Sequence, residues 1–114
     1  MIDKQILNII EARDNAHILH WQTSSYEEHK ALGDFYETIT DLLDKFVETY
    51  FGRFGRLNLI GLAQLQAIGS NEIVSNTMES VKNIETQISD SDLLNILADM
   101  KQLCNHTIYK LSLT

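Results

Sequence analysis

Proline is absent from this chain, glycine occurs only 5 times and cysteine once. So few backbone breakers favour long helices over a turn-rich all-β architecture. The single Cys104 cannot close an internal disulfide, so nothing points to an oxidising compartment; within an apolar helical stripe it reads as a buried structural thiol. Basic residues are also scarce, 9 Lys and Arg against 16 Asp and Glu, for a net charge of −7. That balance argues against DNA binding, which relies on cationic side chains to neutralise phosphate. No apolar run is long enough to cross a bilayer, and the opening MIDKQILNII carries an acid and lacks a small-residue cleavage site, so neither a membrane span nor a signal peptide is expected. The G-x-S-x-G elbow, the Walker loop and zinc-type cysteine clusters are likewise missing. A cytoplasmic setting is the expectation.

What is present is helical periodicity along 114 residues, enough for one domain, 1–114. The first helix is expected from about Ile2 to Gln22, with an inward stripe of Ile6, Ile10, Arg13, His17 and His20 or Trp21. Two histidines and an arginine on such a stripe imply a wet interface or a bound ligand. After Thr23-Ser24-Ser25, Ser25 is a good N-cap with Glu28 three residues on, a capping box opening a second helix that runs to about Phe51. Its core stripe is Leu32, Phe35 or Tyr36, Ile39, Leu42 or Leu43, Phe46 and Tyr50. Its opposite flank carries Glu37, Asp41, Asp44 and Glu48, with Asp34 at the edge.

From Gly52 to Gly69 four glycines and scattered leucines suggest a long connector with room for one short helix. A third helix capped by Ser70 or Asn71 carries Val74, Thr77 or Met78, Val81, Ile84 and Ile88. A break at Ser89 to Ser91 precedes a fourth, with Leu93, Ile96 or Leu97, Met100, Leu103 or Cys104, Thr107 and Leu111. Two short turns around one long connection predict an all-α, ferritin-like four-helix bundle with its crossover between helices 2 and 3.

The candidate chemistry is a metal site shared between subunits. His29, Asp44 and Glu48 fall on one flank of helix 2, yet His29 and Asp44 are separated by roughly 22 Å along the axis at 1.5 Å per residue. A second copy related by a two-fold axis and running antiparallel brings His29 of one chain near Asp44 and Glu48 of the other, and an isologous dimer then holds two such sites. His20 adds a second imidazole. Mixed imidazole and carboxylate donors suit iron, zinc or manganese better than calcium. A di-iron site inside one bundle needs Glu-x-x-His on two helices, and Tyr26 and Leu103 stand where those glutamates would be. His17 and His20 also form an H-x-x-H pair, though His17 reads first as an interface histidine and His106 as a surface one.

The set His20-Trp21, His29, Asp44 and Glu48 resembles the Dps-like mini-ferritins over about residues 10–52. The pattern HWQT…HKALG.FY is also similar to small ferritin-like proteins encoded by large tailed phages. The resemblance implies a homo-oligomer with a two-fold interface, a dodecameric shell, and a ferroxidase centre that oxidises ferrous iron for storage or peroxide protection. His20 and His29 would come from one subunit, Asp44 and Glu48 from its mate, with Trp21 packed nearby; host cytoplasm or virion is the implied location. Two departures stand out: Gly33 replaces the acid that the family carries one turn after the first histidine of helix 2, and the loop after His20-Trp21 is shorter by three residues. The alternative expectation is a structural or virion-associated scaffold that keeps the fold without the chemistry.

Overall fold

The computed structural model describes residues 1–61 and 65–113. Among these residues the only regular elements are four helices: α1 (Ile2–Gln22), α2 (Tyr26–Phe54), α3 (Ser70–Glu85) and α4 (Ser91–Leu111). α1 packs against α2 and α3, and α4 packs against the same two, so α2 and α3 stand at opposite corners of a four-helix bundle. Side-chain contacts fix the directions. The end of α2 meets the start of α4 through Arg53 and Asp90, whose Nε and carboxylate are 2.6 Å apart. Lys110, near the end of α4, returns to Asp34 early in α2. Ser70 at the start of α3 donates to Glu28 at the start of α2. Adjacent helices therefore run antiparallel, while α2 and α3 run parallel and need a connection the length of the bundle.

Residues 55–69 supply it. At about 3.3 Å each they reach ~50 Å, enough to run back along α2, whose 29 residues extend about 43 Å. Gly55 turns the chain out of α2 at φ +89°, a conformation that strains any side-chain-bearing residue. Leu57, Leu59 and Ile68 then pack on the core, and the Gln66 amide donates to Asn15 Oδ1 at 3.0 Å. The described part of this connection carries no helix; residues 62–64, where part of that expectation falls, lie outside the described residues.

The core is built from the expected stripes on α2, α3 and α4, with Phe35, Ile39 and Phe46 of α2 and Leu93, Leu97 and Met100 of α4 all fully buried. On α1 the expected stripe is rotated. The buried positions are Ile6, Ile9, Ala12, Asn15 and Ala16, whereas Ile10, Arg13, His17 and His20 are half-buried beside them. Ala12 and Ala16 add little hydrophobicity, so a pattern weighted by large side chains misses the face where small ones allow close helix approach. Ile88 packs on the core from the 86–90 connection, because α3 ends at Glu85 rather than continuing to Ser89. Ser70 is the first residue of α3 rather than its cap, which is Gly69.

Candidate metal centre

The α1–α2 turn positions the histidines. Ser25 caps α2 by accepting the Glu28 amide at 3.3 Å, as the capping box requires. The reciprocal half is relayed: the Ser25 amide donates to Thr23 Oγ1 at 3.2 Å, and that hydroxyl donates to Glu28 Oε1. The second oxygen of Glu28 accepts from Ser70 at 2.7 Å. One carboxylate thus ties the turn, the start of α2 and the start of α3.

Across this turn His20 and His29 form a reciprocal pair. His20 Nδ1 lies 2.5 Å from the His29 carbonyl oxygen, and His29 Nδ1 lies 2.6 Å from the His20 carbonyl oxygen. The rings stack with centroids 3.8 Å apart and planes inclined by 14°. A carbonyl oxygen can only accept, so each Nδ1 carries the proton. In the neutral ring Nε2 is then left as a bare lone pair, the arrangement that backbone carbonyls impose on metal-ligating histidines.

Gly33 belongs to the same assembly. A Cβ at position 33 would stand 2.8 Å from Cε1 of His20, closer than non-bonded carbon atoms approach. Its neighbour Asp34 points elsewhere, to Lys110 Nζ at 3.4 Å. The sequence shows a glycine at this position; it does not show that an imidazole occupies the space. The nine-residue interval between His20 and His29 across a capped turn is the one signal that points to their contact.

His17 is engaged differently. Its ring stacks on Tyr36 at 3.9 Å and lies 4.1 Å from Trp21, while the His20 ring is 6.2 Å away. Trp21 and Tyr26 flank the cluster and are 65% and 68% exposed, so this end of the α1–α2 face offers solvent two large aromatic rings. Asp44 and Glu48 lie farther along α2 and are exposed. Among the described residues no group of three or more His, Cys, Asp or Glu could hold a metal ion within one chain. The structure brings His20 and His29 together; it leaves the two acids apart from them on the same molecule.

The family described as a family of unknown function (DUF5856) matches residues 20–111, which include the histidine pair and both acids. An uncharacterized 14.6 kDa protein of the mobD-ri intergenic region of Enterobacteria phage T4 is 37% identical over 54 residues, 47% of this chain and 42% of the phage protein. The similarity thus spans under half of that relative's length. No solved structure matches the chain.

Proposed function

The chain belongs to the DUF5856 family, and we propose that it is a ferritin-like, metal-binding protein whose site is completed between two copies. His20 and His29 of one chain would provide two imidazole nitrogens, and Asp44 and Glu48 of a two-fold mate the carboxylates. The observation that carries this reading is the reciprocal bonding of the two histidines, which commits both Nδ1 atoms to carbonyls and frees both Nε2 atoms. Two imidazoles with two carboxylates make a borderline donor set, suited to ferrous iron and also to zinc or manganese. Ferritin-like bundles use one long crossover, and the long connection between α2 and α3 supports the same reading. Iron is then bound, and where it is oxidised it is a substrate rather than a resident cofactor.

One observation favours a second reading, a structural or virion-associated scaffold without turnover. The His20 ring fills the space over Gly33, so the acid that Dps-like proteins carry there has no room. Similarity to a phage T4 protein supports a phage setting for either reading.

Anaerobic titration with ferrous iron, together with a native mass of the assembly, tests the proposal. Saturation near one ion per chain, an even number of chains, and loss of binding in both His29→Ala and Asp44→Ala are expected. Unchanged stoichiometry in both variants, or a metal-free monomer, would remove it. Air or peroxide added to the loaded protein separates the readings: accelerated oxidation supports a ferroxidase, and a flat trace with metal retained supports the scaffold.

A further inference from the structure

The seam between α1 and α3, toward the other end of α1 from the histidines, holds a cleft of about 280 Å³ lined by Gln5, Asn8, Glu11, Asn76, Glu79, Ser80 and Asn83. Every lining side chain is polar, and none is Lys or Arg. Because α1 and α3 run antiparallel, Gln5 faces the level of Asn83, Asn8 that of Glu79 and Ser80, and Glu11 that of Asn76. Neither Glu11 nor Glu79 has an ion-pair partner among the described residues. Asn8 donates to Gln5 Oε1 at 3.3 Å, leaving its own carbonyl oxygen available.

Ser80 is the second, independent sign of a ligand. It is 5% exposed, and no hydrogen bond to its hydroxyl is made among the described residues. Yet that oxygen is not sealed in, since among the described residues no fully buried side-chain polar atom lacks a partner. Its remaining access is through the cleft it lines.

We propose that this cleft binds an organic cation rich in N–H donors, a guanidinium or alkylammonium group. Two carboxylates, Glu11 half-buried and Glu79 exposed, repel anions and attract cations. A guanidinium has five N–H donors and no acceptor, which complements carboxylate, carboxamide and hydroxyl oxygens. Size discriminates against a bare divalent ion: calcium needs oxygens closed around it at roughly 2.3–2.6 Å, whereas this cleft sits near the lower end of ligand pockets, about 300 Å³. It has the capacity of one extended arginine-like chain.

Binding is read by amide NMR and calorimetry at low salt with agmatine, with a short acetylated peptide holding one arginine, and with the same peptide holding citrulline. Saturable shifts at Asn8, Asn76 and Asn83 are expected with agmatine, and none with the citrulline peptide. The double variant Glu11→Gln, Glu79→Gln should weaken binding at least about tenfold and Ser80→Ala several-fold, both keeping the wild-type melting profile. Binding of the arginine peptide as well assigns the cleft to a partner protein's side chain; binding of agmatine alone assigns it to a free small molecule. Absence of saturable binding, equal binding by the double variant, or saturation of the same residues by calcium chloride at lower concentration than agmatine would overturn the proposal.

Discussion

A methyl carbon at position 33 would stand 2.8 Å from Cε1 and 3.1 Å from Nδ1 of His20. Gly33 and the placement of that ring are therefore one feature, even though they lie on different helices. Glycine inside a helix normally costs stability, about 1 kcal/mol relative to alanine. Here the cost is offset by the ring it admits, which is fixed by its bond to the His29 carbonyl and cannot swing away freely.

Gly33→Ala sets the two effects against each other. Helix propensity alone would stabilise the protein by about 1 kcal/mol, while overpacking costs about 1–3 kcal/mol and a displaced imidazole loses a hydrogen bond worth about 1 kcal/mol. The expected result is a net loss of roughly 1–3 kcal/mol in urea unfolding, with nitrogen-detected NMR showing that His20 has left the Nδ1-protonated form. A stabilised variant with an unmoved His20 signal would show that the ring does not lie over position 33. If His20 ligates metal as proposed, Gly33→Asp is expected to weaken that binding, because its larger side chain displaces the imidazole.

Glu28 holds three segments at once, accepting from Thr23 and Ser70 while its amide is capped by Ser25. Ser70 is buried, so Glu28→Ala strands its hydroxyl, with an expected loss of about 1–3 kcal/mol. Glu28→Gln keeps one carbonyl oxygen, and the hydroxyls can reorient toward its amide, so its loss should be under half as large. Equal melting temperatures for the two variants would show that the bond to Ser70 is not a tie.

The helices and the Ser25 cap are legible in the sequence because they depend on neighbours within four residues. The long connection is legible from its glycines, and the separation of His29 from Asp44 follows from helix pitch alone. What the sequence hides are relations across the turn. The nine-residue interval across the capped turn points to a contact between His20 and His29, but their stacking depends on how a three-residue break aims α2 against α1. The buried stripe of α1 is hidden for a related reason: Ala12 and Ala16 bury against neighbours whose identity the local window does not contain. Ser70 looks like a cap because serine commonly caps, yet Glu28 claims its hydroxyl instead.

Cys104 gives a prediction with a definite sign. Burial pushes its thiol from the ordinary 9.0 up to about 12. Native protein should therefore resist alkylation at pH 8 and react only at the rate of unfolding. Between pH 9 and 12 the unfolded chain releases this proton and the folded one keeps it, so stability falls as pH rises, approaching about 1.4 kcal/mol per unit from this group. Cys104→Ala should flatten that part of the stability curve. An unchanged slope in the variant would assign the loss to other groups.

The proposed shared site makes a prediction that no arrangement within one chain can imitate. In the proposed two-fold pair each site would take its histidines from one molecule and its acids from the other. A chain carrying His20→Ala and His29→Ala, and a chain carrying Asp44→Ala and Glu48→Ala, should each bind no iron alone. Mixed, unfolded and refolded together, they form heterodimers in which one site combines the intact histidines of one chain with the intact acids of the other, and the second site loses both sets. Random pairing makes about half of the dimers mixed with one of two sites intact, so about a quarter of wild-type capacity should return. Recovery of nothing, with heterodimers confirmed by native mass, would mean that the histidines and acids do not meet across the pair. Binding by either variant alone would mean that one half of the donor set suffices.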